Sequence, residues 1–337
     1  MKSLKFKKVM ACASLVVTAF TASASDYSNV YVFGDSLSDN GNLHALAPES
    51  TYGERFTNGP VAVEIVAGAL GFALTPSHHL LGGTSGNNFA IAGAKAIDDD
   101  NDESTPDINL PTQVNAFLAI NGGVAPSDAL YIMLIGGNDI RAAREIRSAA
   151  VFAATPAERQ TIRQAANESL NTAVKSEQAQ LLKLIAAGAT NILVSNAPDI
   201  GAIPETDLVA AGLLENAQTN RQIRKANRLP HVTTKLSTKF NRKLARKIAR
   251  TEHQTGVDII EYDLFSFLTD QIDNAEDYGY INTDDACAYM ISGGGALHPD
   301  CDGYASATGF LFFDEIHPTT QAHQAAGMEI VGELLAQ

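Results

Sequence analysis

The sequence has few cysteines, few basic residues and no long apolar run beyond its first residues. Only three cysteines occur among 337 residues, none in a C-x-x-C spacing, so the sequence offers no zinc-binding pattern. Lysine and arginine number 24 against 38 acidic residues, which argues against nucleic acid as a partner. After residue 24, no segment reaches the roughly 18 consecutive apolar residues that a membrane-spanning helix requires. We therefore expect a soluble, acidic globular protein that needs no metal.

The first 24 residues have the three-part pattern of a secretory signal peptide. Four lysines come first, an apolar stretch runs from Val9 to Phe20, and small residues end at Ala24. We expect cleavage after Ala24 and export to the periplasm or beyond the cell. The alternative, a lipoprotein signal ending at Cys12, is disfavoured because the apolar stretch continues past that cysteine. Loss of the four lysines would move the formal net charge from −14 to −18.

Export also bears on the two remaining cysteines, Cys287 and Cys301. They are separated by 13 residues, and an exported protein meets an oxidising compartment. We predict that they form a disulfide, which would stabilise the fold by roughly 3 kcal/mol for a loop of this size.

Short apolar runs rich in β-branched residues alternate with helical stretches. Residues 155–189 have helix start signals at Thr155 and Glu158 and a stop signal at Gly188. The alternation indicates βαβ units, and therefore a mainly parallel sheet covered on both faces, with a site at the carboxyl ends of the strands. No linker interrupts residues 25–337, which predicts one domain. The strand-like runs are "NVYVFGDS" (29–36), "ALYIMLIGGND" (129–139), "NILVSNAP" (191–198) and "VDIIEYDLF" (257–265).

Charge is distributed unevenly along the chain. Residues 98–107 are strongly acidic but lack the glycine and glutamate of a calcium-binding EF-hand, so we expect a solvated loop. Residues 221–250 hold 11 basic side chains and no acidic ones. A solvated helix face accounts for this basic segment; the alternative is peripheral contact with an anionic membrane surface.

Two segments contain residues suited to nucleophilic catalysis. Ser36 follows the first apolar run in "VFGDSLSDNGN", and a serine hydroxyl needs a base and a group that orients the base. In "FFDEIHPTT", Asp314 precedes His317 by three residues, so the carboxylate could fold back onto the imidazole. Pro318 suits the first turn of a final helix. On spacing alone, two interpretations are equally good: a catalytic serine with an aspartate–histidine pair, or a serine in a turn and a helix cap with an incidental histidine.

Charge that develops on a carbonyl oxygen needs hydrogen-bond donors. Gly93 in "NNFAIAGAKA" and Asn138 in "IGGND" are candidates, although glycine also relieves backbone strain and asparagine also caps turns. Asp35 could in principle be a phosphoacceptor or a magnesium ligand. Export and the later Asp314–His317 pair favour a turn-forming role for Asp35, which would position Ser36.

Taken together, four segments resemble the GDSL esterases and lipases of the SGNH hydrolase superfamily. "FGDSLSDNGN", "NFAIAGA", "GGND" and "DEIHPT" occur in this order over about 285 residues. "YGERFTNGP" (52–60) and the cysteine pair upstream of "FFDEIHPTT" are similar to the bacterial phospholipase and acyltransferase branch of the family. The resemblance implies an α/β fold: a three-layer α/β/α sandwich of the flavodoxin-like type, with about five mainly parallel strands.

The resemblance also implies the roles of the site residues, with no cofactor. Ser36 would be the nucleophile, with Asp314 and His317 completing a triad. The oxyanion hole would consist of the N–H groups of Ser36 and Gly93 and the amide of Asn138. Many relatives carry another glycine where this chain has Ala92, so the assignment rests on Gly93.

We therefore expect an exported serine ester hydrolase that forms an acyl-enzyme on Ser36. Phospholipids or lysophospholipids are the first choice of substrate. The alternatives are acyl transfer from a phospholipid to an alcohol, and hydrolysis of short-chain esters or acetylated glycans. A hypothesis of another class is a non-catalytic exported binding protein on the same scaffold.

Overall fold

The computed structural model describes residues 27–49, 52–98 and 107–336, and its centre is a parallel sheet of four strands. The strands are β1 Val30–Gly34, β2 Leu130–Leu134, β3 Asn191–Ser195 and β4 Ile259–Tyr262. Adjacent strands pair in parallel in the order β1-β2-β3-β4, and each arises from one of the predicted apolar runs. Most strand residues are buried, as expected when helices cover both faces of a parallel sheet.

The fifth strand of the expected sheet is present only as an irregular edge segment, residues 87–91. The N–H of Val32 donates to the carbonyl of Asn87 at 2.9 Å, and the N–H of Phe89 donates to the carbonyl of Val32 at 2.7 Å. The edge segment therefore runs parallel to β1 on the side away from β2. If the edge segment is counted as the second strand along the chain, the order of strands across the sheet is 2-1-3-4-5, which is the flavodoxin-like order. The sheet therefore has four regular strands instead of the expected five.

Helices cover both faces of the sheet. They are α1 Asn42–Leu46, α2 Ala62–Ala69, α3 Leu110–Ile120, α4 Gly137–Ser148, α5 Pro156–Ala187, α6 Pro204–Glu215, α7 Asn220–Ala226, α8 Leu229–Thr255, α9 Leu264–Asp273, α10 Ala275–Tyr278 and α11 Thr320–Leu335, with 3₁₀ turns at His79–Leu81 and Ala149–Val151. Tyr31 and Phe33 of β1 lie in the core shared with α3, α4, α5 and α8, whereas Val30 and Val32 lie in the core shared with α2 and α11.

The C-terminal part of the chain contains four short strands outside the main sheet: β5 Asn282–Ala286, β6 Ala288–Tyr289, β7 Ala296–Leu297 and β8 Phe310–Phe312. β5 pairs with β8 in parallel, and β6 pairs with β7 antiparallel.

The predicted helix boundaries are confirmed at α5 and wrong at the last helix. The hydroxyl of Thr155 accepts a hydrogen bond from the N–H of Glu158 at 3.1 Å, and the helix ends at Gly188. The final helix, α11, begins at Thr320, so Pro318 lies before it instead of in its first turn. Pro318 forms an antiparallel bridge with Phe312.

No helix in the three described ranges is long and apolar enough to cross a membrane. The predicted signal peptide, residues 1–24, lies outside the described residues, as does most of the acidic loop, residues 99–106.

Candidate active site

The predicted site residues follow the carboxyl ends of neighbouring strands. Ser36 comes after β1, Gly93 after the edge segment and Asn138 after β2, in the first turn of α4. A Cβ on Gly34 would lie 2.2 Å from the carbonyl oxygen of Leu134. Glycine at this position therefore allows β1 to lie close to β2 just before the turn that carries Ser36.

Ser36, His317 and Asp314 form a continuous chain of hydrogen bonds. The Oγ of Ser36 lies 2.8 Å from Nε2 of His317, and Nδ1 of His317 lies 2.7 Å from Oδ2 of Asp314. All three side chains are buried. A carboxylate only accepts hydrogen bonds, so Nδ1–H donates to Asp314 and leaves Nε2 free to accept the hydroxyl proton of Ser36. The geometry is that of a nucleophile, a base and an acid that orients the base.

Asp314 is held in its charged form by its surroundings. Burial alone would raise the pKa of Asp314, but His317 and the hydrogen bonds hold this pKa below its usual value. Oδ1 accepts the backbone N–H groups of Ile316 at 2.8 Å and His317 at 2.7 Å. Oδ2 also accepts the hydroxyl of Tyr52 at 2.6 Å. Burial, followed by the charge of Asp314, raises the pKa of Tyr52, so its hydroxyl remains a donor.

The turn that carries Asp314 and His317 is closed by its own backbone. The N–H of Phe313 donates to the carbonyl of His317 at 2.8 Å. Behind this turn lies the disulfide segment, residues 287–301, closed by the predicted bond between Cys287 and Cys301, whose Cα atoms are 5.2 Å apart.

The disulfide segment also contacts the turn directly. Glu315, which is fully buried, accepts hydrogen bonds from the backbone N–H groups of Ile291 at 3.1 Å and Ser292 at 2.7 Å. The N–H of Cys287 donates to the carbonyl of Phe312 at 3.0 Å. The position of the imidazole therefore depends on a segment that is distant from Ser36 in sequence.

Two backbone donors near the serine are free to bind a ligand. Among the described residues, the N–H groups of Ser36 and Gly93 have no hydrogen-bond acceptor in the protein. Gly93 is exposed and has a φ of 86°, which glycine adopts without the strain other residues incur. Asp39 links the loop that carries Ser36 to the loop that carries Gly93. Its Oδ2 accepts the N–H of Ala92 at 2.8 Å, and its Oδ1 accepts the N–H of Gly41 at 2.9 Å.

Asn138 is oriented at both ends of its side-chain amide. Its Nδ2 donates to the carbonyl of Ala94 at 2.9 Å, and its Oδ1 accepts a hydrogen bond from Nη1 of Arg141 at 2.8 Å. The Nε of Arg141 in turn donates to Glu205 at 2.8 Å. One N–H of the Asn138 amide is left for a ligand, since an amide nitrogen carries two hydrogens.

A narrow apolar cavity lies beside Ser36, Asn138 and His317. The cavity runs between the carboxyl ends of the strands and the helices α9 and α11, so an extended apolar group attached at Ser36 could be buried there. Its apolar lining consists of Leu37, Ala62, Leu134, Pro198, Ile200, Ile203, Tyr262, Leu264, Phe267, Leu268, Phe312, Ile316, Pro318, Ala322, Ala326 and Ile330.

Asp35 is buried in the same cavity wall. Its Oδ1 accepts the N–H of Leu37 at 3.0 Å, consistent with the predicted turn-forming role. Burial raises the pKa of Asp35 to about 6, against the hydrogen bond from Leu37 and the charges of His317 and Arg141.

The structure thus brings the five predicted site residues into two groups. Ser36, Asp314 and His317 are joined directly. Asn138 lines the cavity with Ser36, whereas Gly93 lies outside the cavity lining and is connected through its neighbours Ala92 and Ala94.

Sequence reasoning missed three positioning residues: Tyr52, Asp39 and Arg141. Arg141 lies one helical turn after Asn138, a spacing that could have indicated contact. Tyr52 is 262 positions from Asp314, and no local pattern predicts that contact.

Comparisons with known proteins agree on one family. The model of the family "GDSL-like Lipase/Acylhydrolase" matches residues 30–330. Lipase 1 of Photorhabdus luminescens is 27% identical over 361 residues, covering 94% of this chain and 51% of that protein. A GDSL esterase/lipase of Arabidopsis thaliana is 28% identical over 344 residues, covering 91% of this chain and 86% of that protein.

Among solved structures, the extracellular lipase from Streptomyces rimosus matches with a TM-score of 0.39 and 14% identity, covering 90% of this chain and 97% of that chain. The chain spans about half the length of Lipase 1.

Proposed function

The chain belongs to the GDSL-like lipase/acylhydrolase family, and from this premise we propose that it is a serine hydrolase of carboxylic esters. The observation that carries the proposal is the hydrogen-bonded chain from Ser36 through His317 to Asp314, beside an apolar cavity. Relatives named lipases and esterases, which align over most of this chain, support the same reaction class.

The reaction begins with transfer of the Ser36 hydroxyl proton to Nε2 of His317 as Oγ attacks the ester carbonyl carbon. Asp314 stabilises the resulting imidazolium through the bond to Nδ1–H. Collapse of the tetrahedral intermediate breaks the ester C–O bond, and the alcohol leaves with the proton from His317. Water then attacks the acyl-enzyme with His317 as base, releasing the acid and restoring Ser36.

The developing oxyanion is bound by the N–H groups of Ser36 and Gly93 and by the amide of Asn138. The two backbone groups have no protein acceptor among the described residues, and the amide has one N–H left. Such fixed donors act on the charge that forms in the transition state, so they raise kcat more than they lower KM.

The substrate is a fatty acyl ester, with a phospholipid or lysophospholipid as the first choice. The supporting observation is the apolar lining, which includes Phe267 of α9 and Ile330 of α11 in the same cavity as Ser36. A fatty acyl chain can bury more of this apolar surface than an acetyl group can. Acyl transfer to an alcohol uses the same acyl-enzyme, with an alcohol in place of water. Export, through a signal peptide at residues 1–24 ahead of one domain at residues 25–337, is part of the proposal.

Labelling with a fluorophosphonate tests the proposal, because only an activated serine reacts at a useful rate. We expect labelling at Ser36 and its loss in Ser36→Ala, with kcat on a long-chain ester reduced by several orders of magnitude in both Ser36→Ala and His317→Ala. The double variant should lose little more than either single one, because the triad acts as a unit.

Absence of labelling in the wild type would favour a non-catalytic binding protein instead. Losses that multiply in the double variant would show that Ser36 and His317 act independently. Product analysis with phospholipids, triglycerides and acetylated sugars separates the substrate alternatives.

A further inference from the structure

A second cavity, remote from the serine, is lined by positively charged side chains. It lies where α4 and the 3₁₀ turn at Ala149–Val151 meet α5, α7 and α8, and it shares no lining residue with the cavity beside Ser36. Its lining contains no acidic residue. The cationic residues are Arg147, Arg159, Arg163, Lys225 and Arg228, accompanied by Ala150, Val151, Leu229 and Val232. We call this the basic cavity.

The charges of the basic cavity are not neutralised by the protein. Within the described ranges, none of its five cations forms an ion pair, although the chain has 38 acidic residues against 24 basic ones. The contrast with the same helix is direct, because Arg141 and Arg144 of α4 both pair with Glu205. Arg147, one turn further along α4, has no such partner in the part of the chain that the structure describes.

Mutual repulsion adds to the effect of burial on the pKa values of two of these groups. Burial lowers the pKa of Arg147, and the charge of Arg163 lowers it further. Burial also lowers the pKa of Lys225, together with the charges of Arg221, Arg147 and Arg163. A group of like charges this close costs folding free energy, so the arrangement contributes nothing to stability by itself.

Parts of the cavity are held in place while other donors remain unused. Nη1 of Arg159 donates to the carbonyl of Ala153 at 3.2 Å, and Nζ of Lys225 donates to the carbonyl of Ala150. The guanidinium groups of Arg147, Arg163 and Arg228 have no acceptor among the described residues. Guanidinium groups present paired N–H donors that match the oxygens of a phosphate.

We propose that the basic cavity binds a phosphate group, either as a free anion or as part of a lipid headgroup. The segments that form it are separated in sequence: Arg147 through Arg163 come from α4 and α5, whereas Lys225 and Arg228 belong to the basic segment at 221–250. The fold therefore concentrates part of that segment with three further arginines at one site. This inference does not rest on the proposed ester hydrolysis.

The test compares two variants with the same change in charge. Arg147→Gln, Arg163→Gln and Arg228→Gln are combined to neutralise the cavity. Arg242→Gln, Arg246→Gln and Arg250→Gln, three exposed arginines of α8 outside the cavity, form the control. Binding of inorganic phosphate is measured by calorimetry at low salt. Binding to phosphatidylcholine vesicles, with and without phosphatidylglycerol, is measured by sedimentation.

We expect each removed cavity charge to weaken binding about five-fold, and the triple change therefore about 100-fold, corresponding to about 1 kcal/mol per charge. The control should weaken binding less than ten-fold. Loss of phosphate binding assigns a free anion, and loss of binding only to phosphatidylglycerol vesicles assigns a headgroup. Circular dichroism checks that the variants fold.

Two results would overturn the proposal. One is a wild-type protein that shows saturable binding to neither probe. The other is an equal loss in the cavity and control variants, which would reduce the cavity to ordinary surface charge. If the triple variant does not fold, Arg163→Gln alone decides, because this side chain is exposed and makes no hydrogen bond within the described residues.

Discussion

A side-chain amide has two possible orientations, with either its nitrogen or its oxygen toward a bound ester. The contact with Arg141 fixes the orientation of the Asn138 amide. Nη1 of Arg141 can only donate, so the atom it contacts at 2.8 Å must be Oδ1. The nitrogen is thereby turned toward Ala94 and the site. An oxygen in this position would repel the oxyanion that the proposed reaction forms, so Arg141 acts on the reaction as a positioning residue.

We predict that Arg141→Ala lowers kcat about 10- to 100-fold and changes KM little, because it disturbs a donor that acts on the transition state. The loss should be smaller than that for Asn138→Ala, which removes the donor itself and is expected to cost about 2.7–4 kcal/mol of transition-state stabilisation. Steady-state kinetics on a soluble ester gives both constants.

Two comparisons separate positioning from general support of the fold. In an Asn138→Ala background, Arg141→Ala should have little further effect, since the amide it orients is absent. Arg144→Lys is the matched control for Arg141→Lys, because both arginines pair with Glu205 and only Arg141 contacts Asn138. Equal losses in the two lysine variants would mean that the ion pairs matter and the amide contact does not.

Among the structural elements, the disulfide segment contacts the turn of the candidate active site directly. It contacts the turn that carries Asp314 and His317 at Glu315, which lies within the turn, and at Phe312, which lies just before it. His317 is placed by a turn instead of a regular helix or strand, so its position depends on these contacts.

We predict that Cys287→Ser combined with Cys301→Ser lowers the free energy of unfolding by about 3 kcal/mol, as the chain-entropy estimate gives for a loop of this length. Activity should fall as well, because the turn loses a fixed support. Urea unfolding and kcat at a temperature where the variant is folded measure the two effects.

Added reductant provides the control for this prediction. It should reproduce both losses in the wild type and do nothing further to the double variant. Full activity in the folded double variant would show that the turn holds His317 in place without the disulfide segment.

The elements also show what a single sequence can and cannot predict. Apolar runs bounded by turn residues were sufficient for β1 to β4, and cap residues for α5, because both signals are local. The edge segment is not predicted as a strand because asparagines occupy its first two positions, which leaves an apolar run of only three residues, and because its pairing with β1 is irregular. Pro318 was misplaced because proline also suits the turn that precedes a helix.

The site residues also divide into those that the sequence predicts and those that only the fold reveals. Ser36, Asp314 and His317 stand in recognisable short segments, and the structure brings them within hydrogen-bond distance. The contact between Tyr52 and Asp314 and that between Asp39 and Ala92 join residues distant in sequence, so they follow only from the folded chain.

For the molecule as a whole, buried carboxyl groups of α4 and α5 contribute to the way in which the free energy of unfolding varies with pH. Burial raises the pKa of Asp139 to about 7 from an ordinary value of 3.8, and it raises the pKa of Glu177 well above its ordinary value. Each group adds to the effect on the next: the charge of Asp35 raises the pKa of Asp139, and the charge of Asp139 raises that of Glu177. Neither carboxylate oxygen of Glu177 has a hydrogen-bond partner among the described residues.

The sign of the effect follows from proton binding. Between about pH 4 and pH 7 the unfolded chain releases these protons while the folded protein keeps them, so the folded state binds more protons. The stabilisation is complete below the unfolded pKa values and is lost as pH rises through the folded ones. These carboxyl groups therefore make the free energy of unfolding decrease from pH 4 to pH 7.

We predict that Glu177→Gln makes this decrease shallower, by up to about 1.4 kcal/mol per pH unit for the one titrating group removed. Urea unfolding at half-unit steps from pH 4.5 to pH 7.5 gives the slope for each variant. The slope is informative even if glutamine packs less well, because a packing defect shifts the whole curve and leaves its slope unchanged.

Glu168→Gln, an exposed glutamate of the same helix, is the matched control, and its curve should run parallel to that of the wild type. A wild-type curve that rises from pH 4 to pH 7 would not contradict the prediction, because other acids contribute stability in the opposite direction; the comparison lies in the difference between variants. If Glu177→Gln and Glu168→Gln both run parallel to the wild type, Glu177 is ionised in the folded protein throughout this range. Burial would then fail to raise its pKa, which would contradict the prediction.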